Sequence, residues 1–121
     1  MSAPTVLLID DDEDVRHALR LLFEVDGFTV VGEASNGADG VALARRHEPD
    51  FVVVDHAMPR PGGEGTAQVV RALAPAARIV AFSAALDRRP LWADAFLNED
   101  RISEVVPALR AMIPRTARLA S

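Results

Sequence analysis

Phe51-Val52-Val53-Val54-Asp55 is the stretch that decides the fold. One aromatic and three β-branched residues suit a pleated strand better than a helical turn. The run is apolar at every position instead of every second one. That pattern fits a strand covered on both faces, as in a parallel sheet. It ends abruptly at a carboxylate. The following Met58-Pro59-Arg60-Pro61-Gly62-Gly63 reads as irregular loop, with Gly62, Gly63 and Gly65 supplying flexibility.

Similar runs lie on both sides. Val6-Leu7-Leu8-Ile9 ends in Asp10-Asp11, and Ile79-Val80-Ala81-Phe82 ends at Ser83. Phe28-Thr29-Val30-Val31 reads as a further strand, and Ala95-Phe96-Leu97 as a weaker fifth. Helical spacing fills the intervals. Val15, Ala18, Leu19, Leu22 and Phe23 mark a helix capped by Asp12 or Asp14 and ended by Gly27. Ala38, Val41, Ala42 and Ala44 follow the turn signal Asn36-Gly37 and run to about His47. Val69, Val70 and Leu73 mark a third helix, which stops near Pro75. Ile102, Val105, Val106, Leu109 and Met112 mark a last one, flawed by Pro107. The tail from Pro114, with Arg115 and Arg118, is expected to fray.

Strands alternating with helices predict an α/β fold with a parallel sheet covered on both faces. The 121 residues suit one domain over 1–121, with a core spanning about 4–113. Half of the residues are apolar, enough for a proper core. The 18 acidic and 13 basic residues give a net charge of -5, which argues against a nucleic-acid-binding module. With no cysteine there is neither a disulfide framework nor a thiolate metal site. No apolar run is long enough to span a membrane, so a cytoplasmic location is the expectation.

Ligands of such sheets sit beyond the carboxyl ends of the strands. Asp10-Asp11, Asp55 and Ser83 all stand at those ends. Singly, each reads as a cap, a solvated helix start or a turn residue; their joint placement points to one pocket. Close carboxylates repel one another, and a hard divalent cation such as Mg²⁺ compensates with oxygen ligands. A carboxylate can also accept a phosphoryl group as an acyl phosphate, and the Ser83 hydroxyl could bind a phosphoryl oxygen. His17 and His47 read as solvated; His56 is placed to line the pocket without a second metal-ligating partner.

These residues resemble the receiver domains of bacterial two-component response regulators over nearly the whole chain. The resemblance rests on Val6–Asp12, Asp55-His56-Ala57-Met58-Pro59, Gly63, Phe82-Ser83-Ala84 and Ala93–Leu97. It implies a flavodoxin-like, doubly wound five-stranded sheet of order 2-1-3-4-5. It further implies Asp55 as phosphoacceptor, and Asp10, Asp11, Asp55 and the Ala57 backbone carbonyl as Mg²⁺ ligands. Ser83 becomes the switch hydroxyl and Phe96 the switch aromatic. The implied partner is a sensor histidine kinase or another signalling protein; a homodimer is compatible. Neither nucleic acid nor membrane is expected as a partner, and no enzymatic activity beyond self-catalysed phosphoryl transfer to Asp55.

Two departures stand out. The family's lysine, three residues after the switch aromatic, is here Glu99. A glutamate reverses the charge offered to a phosphoryl group. The stretch from Ser83 to Glu99 is also short and has poor helical periodicity with Pro90 inside it, so helix 4 of the family fold is expected to be absent or cut to about one turn. Trp92 lies in that stretch and reads as a roof over the core, or else as a partner anchor. The expectation is an atypical, stand-alone receiver acting through protein–protein interaction, with or without phosphorylation of Asp55. A Mg²⁺-dependent phosphatase of the aspartyl-phosphate type is the alternative. It would need a second aspartate two residues after the nucleophile, where Ala57 stands.

Overall fold

A computed structural model describes residues 3–113; the expectation of a frayed tail over 114–121 lies outside them. The elements run β1 (Thr5–Ile9), α1 (Glu13–Val25), β2 (Thr29–Ala34), α2 (Gly37–His47), β3 (Phe51–Val54), α3 (Gly62–Leu73), β4 (Arg78–Phe82), β5 (Ala95–Leu97), a 3₁₀ helix (Glu99–Glu104) and α4 (Val105–Ala111). The five strands form one parallel sheet in the order β2-β1-β3-β4-β5. This is the flavodoxin-like order.

Strand alternation divides the core in two. Leu7, Ile9, Val52, Val54, Ile79 and Ala81 point to one face, where they meet Ala44 of α2 and Ala67 and Val70 of α3. Val6, Leu8, Phe51, Val53, Val80 and Phe82 point to the other, where they meet Leu19 and Phe23 of α1 and Val105 and Leu109 of α4. Each large side chain fully buried this way contributes roughly 1.5–3 kcal/mol. β3 is the central strand and is buried at every residue, which accounts for its unbroken apolar run.

Asp12 caps α1, its side chain accepting from the Asp14 and Val15 amides. Gly27 follows that helix at φ 88°, a left-handed conformation that favours glycine. Asn36 caps α2 in the same way through the Asp39 amide. The glycine-rich loop reading is corrected: Gly62, Gly63 and Gly65 belong to the start of α3. The need at Gly63 is for closeness. A Cβ there would stand 2.6 Å from the Asp55 carbonyl oxygen and 2.7 Å from His56 Cα.

The last helical pattern also resolves differently from the single helix expected. Pro107 falls in the first turn of α4, where its missing N–H costs nothing. Its ring would clash with a continuous α-helical turn behind it. The preceding turn is accordingly a separate 3₁₀ helix, broken at Arg101 (φ -111°, ψ 33°).

Between β4 and β5 the described residues form no helix, as the short spacing predicts. The crossover is held by side chains instead. Asp94 accepts from the Ile79 amide (2.8 Å) and pairs with Arg71 (3.3 Å). Arg71 also donates to the Trp92 carbonyl (3.1 Å), and Arg89 to that of Ala93 (2.7 Å). Successive right-handed crossovers running the same way across a sheet lie on one face. The missing helix would therefore sit beside α3, and there Trp92 and Ala93 pack on the core instead.

Candidate functional site

The acidic residues meet where β1 and β3 end. The Asp10 amide donates to the Ala34 carbonyl (3.0 Å) and the Asp55 amide to that of Ile9 (2.9 Å), so both residues continue the strand ladder by one step. Each then turns its side chain back on the chain. Asp10 Oδ1 accepts from the Asp12 amide (2.9 Å), and Asp55 Oδ1 from the Ala57 amide (3.0 Å). Asp10 is 2% exposed and Asp55 6%, while Asp11 is exposed at the rim. One carboxylate oxygen from each of the three lies within 4.8 Å of the others.

Burial raises the Asp10 carboxyl from 3.8 to about 7. The Asp12 amide works against that rise, while the charges of Asp55 and Glu99 add to it. Burial likewise pushes Asp55 up, with the Asp11 charge adding to the effect and the Ala57 amide opposing it. Asp10 Oδ2 is buried, and among the described residues no donor group reaches it. Protonation of Asp10 would relieve this. A hard divalent cation would relieve it as well. The fit to Mg²⁺ is good: three clustered carboxylate oxygens, a buried unpaired oxygen on Asp10, and an exposed side at Asp11.

Glu99 opens the 3₁₀ helix directly after β5, and its carboxyl is half-buried. Burial raises its pKa, and the charges of Asp55, Asp12 and Asp11 raise it further. The glutamate therefore belongs to the electrostatics of the pocket. Three arginines of the neighbouring loops and of the 3₁₀ helix are engaged or exposed. Arg101 forks onto Glu104 (2.6 and 2.8 Å), Arg88 pairs with Asp87 (3.5 Å), and Arg60 is exposed.

Ser83, 1% exposed, sits at the end of β4. Its amide donates to the Leu97 carbonyl (3.3 Å) and its Oγ accepts from the Ala85 amide (3.0 Å). Phe96 is half-buried against the α2–α3 face of the core. His17 and His47 are exposed, as expected. His56 stacks on Trp92, with ring centroids 6.0 Å apart and planes 10° from parallel. Trp92 thus roofs the core and also touches the loop that carries Asp55. Together with the 98% exposed Leu91 it lines a groove of about 490 Å³ along α3.

The comparison with protein families agrees with this geometry: residues 6–96 match the model of the response regulator receiver domain. The chain belongs to the response regulator receiver family. Among curated proteins it is 44% identical to the probable C4-dicarboxylate response regulator DctR of Priestia megaterium over 84 residues, which are 69% of this chain and 37% of that protein. It is 34% identical to the transcriptional regulatory protein PdtaR of Mycobacterium tuberculosis over 116 residues, 91% of this chain and 57% of that one. This receiver spans only about a third to somewhat over half of the length of the curated relatives it matches. Among solved structures it resembles a LuxR-family response regulator from Aurantimonas (TM-score 0.77, 29% identity, 92% of this chain and 85% of that one). Vibrio cholerae CheY4 (TM-score 0.80, 19% identity, 91% of this chain and 98% of that one) shares the fold. The receiver is thus a domain of two-component signalling. Among its described residues no helix is long and apolar enough to cross a membrane.

Two participants escaped the sequence reading. The Arg16 guanidinium donates to the Asp10 carbonyl (2.6 Å), and Asp12, read only as a cap, adds its charge to the field at Glu99. Neither carries a local signal, because both depend on where α1 and the 3₁₀ helix dock.

Proposed function

We propose that this receiver is an atypical one, in which Asp55 occupies the phosphoacceptor position but signalling proceeds through protein contacts without depending on its phosphorylation. The observation that carries this reading is Glu99. Its carboxyl lies within the field of Asp11, Asp12 and Asp55, where the family places a lysine, and Arg60, Arg88 and Arg101 are exposed or engaged elsewhere. An acyl phosphate at Asp55 would add negative charge beside four acids.

Asp10, Asp11 and Asp55, with the Ala57 carbonyl, are the residues that would hold Mg²⁺. When bound, the ion neutralises the carboxylates and polarises the phosphoryl group of a donor. The buried Ser83 hydroxyl stands ready at the end of β4 for a phosphoryl oxygen, and Phe96 lies on the neighbouring strand. A sensor histidine kinase or another signalling protein, or a second copy of the chain, is the class of partner this reading implies.

Incubation with acetyl phosphate and Mg²⁺, followed by intact-mass measurement, tests the proposal. Little or no mass gain is expected for the native chain under conditions in which Glu99→Lys gains a phosphoryl group. A native gain that disappears in Asp55→Asn would overturn it.

A further inference from the structure

Asp10 is held at both of its backbone polar groups. The Asp10 amide is held by Ala34 at the end of β2. Its carbonyl is held by Arg16, which reaches back from the second turn of α1 with Nη1 2.6 Å from the oxygen. Arg16 is itself anchored: its Nε meets Glu33 Oε1 at 3.3 Å, and the other oxygen of Glu33 takes Arg20 Nε at 2.5 Å. The Arg16 side chain is only 15% exposed. A guanidinium with donors in a fixed fork can hold a carboxylate and a carbonyl together; an ammonium cannot reproduce that geometry.

Asp11 has no such support. Its carboxylate supplies one of the three clustered oxygens from the exposed rim, where its side-chain contact is with the Asp55 carboxyl. Its direction is therefore set by the peptide that precedes it, whose carbonyl Arg16 fixes.

We propose that Arg16, clamped by Glu33, is a positioning residue for the cation site: it orients the Asp10–Asp11 peptide so that both carboxylates converge with Asp55. This rests on the reading of those three residues as a divalent-cation site. It also makes a prediction opposite in sign to the simplest electrostatic one. Acting only as a nearby positive charge, Arg16 would repel a cation, and its removal would tighten binding. Acting as a positioning group, its removal loosens binding, by roughly tenfold or more if it behaves like other outer-shell partners of metal ligands.

The experiment is a titration of the full chain with Tb³⁺, read by luminescence sensitised through Trp92, the single tryptophan, and with Mg²⁺ in competition. The native chain, Arg16→Gln, Arg16→Lys and Glu33→Gln are compared well below their melting temperatures, with circular dichroism as the check on folding. The expected result is about tenfold weaker binding in Arg16→Gln and a partial loss in Arg16→Lys and Glu33→Gln. The double variant should be no worse than Arg16→Gln alone, since Glu33 acts through Arg16. Equal or tighter binding in Arg16→Gln overturns the inference while leaving the cation site intact. Should Arg16→Gln fail to fold, Glu33→Gln decides by the same criterion. A native chain that takes up neither ion overturns the cation site itself, and the inference with it.

Discussion

Replacing Asp10 with asparagine should stabilise the metal-free receiver, and only above a definite pH. The Asp10 carboxyl titrates at about 7 in the fold against 3.8 ordinarily. Below about pH 4 it is protonated in folded and unfolded chains alike, and no penalty arises. Between the two values the unfolded chain has lost a proton that the folded chain keeps, so stability falls as pH rises. Above about pH 7 the loss is complete and on the order of 4 kcal/mol. The Asp10→Asn variant would keep the oxygen that accepts from the Asp12 amide and remove the charge. In EDTA, chemical denaturation of native chain and variant should give a difference near zero at about pH 4. By about pH 8 the variant should be ahead by several kcal/mol, or roughly 10 °C or more in Tm. Excess Mg²⁺ should narrow the gap at neutral pH, because only the native site gains binding energy: about 2.7 kcal/mol at a hundredfold excess over Kd. Asp55 and Glu99 are raised in the same direction, so the native curve itself falls with pH. A difference between native and variant that does not change with pH would refute the reasoning, since the buried orphan carboxyl would then carry no cost.

Glu99→Lys should increase Mg²⁺-dependent phosphoryl uptake: a unit-charge pair about 7 Å apart at an effective dielectric near 40 is worth about 1 kcal/mol, and reversing its sign doubles that to roughly 30-fold in occupancy. Uptake within about threefold of native, from an intact-mass time course, would place the Glu99 charge outside the working part of the pocket. Gly63→Ala should cost about 1–3 kcal/mol in urea denaturation, because the new methyl meets the Asp55–His56 backbone and nothing flexible can yield. Trp92 emission should change when Mg²⁺ is added, since the ring lies on His56 beside Asp55; the response should shrink in His56→Ala, and an unchanged response would uncouple the crossover from the site.

Much of the fold was legible because the sheet is parallel. Buried strands such as Val6–Ile9 and Phe51–Val54 must be apolar throughout, and each ends in a polar residue just where the sheet meets solvent. Asp12, one of two candidate caps, does cap its helix, and Asn36, read from sequence only as part of a turn, caps the next. The failures have physical reasons. Gly62–Gly65 looks like a loop by composition, yet it opens α3, and Gly63 lets that helix start lie against the Asp55 and His56 backbone. The pattern Ile102–Met112 suggests one helix, and Pro107 divides it. The missing helix between β4 and β5 was visible as a shortage of residues. What takes its place was not: Trp92 packs on the core and on His56 through contacts far apart in the chain.

The acid pair, Asp55, Ser83 and the substitution at Glu99 are properties of the chain itself, readable because chemistry at a strand end depends on residue type and spacing. Whether Glu99 works in the pocket depends on how β5 hands over to the 3₁₀ helix, and that handover is tertiary: Asn98 caps the turn and holds the Leu86 carbonyl (3.1 Å). The fold brings Glu99 into the field of Asp55, raises Asp10 by burial, and sets Arg16 behind the acid pair. Charge interactions follow distance and dielectric, which a linear order of residues does not contain.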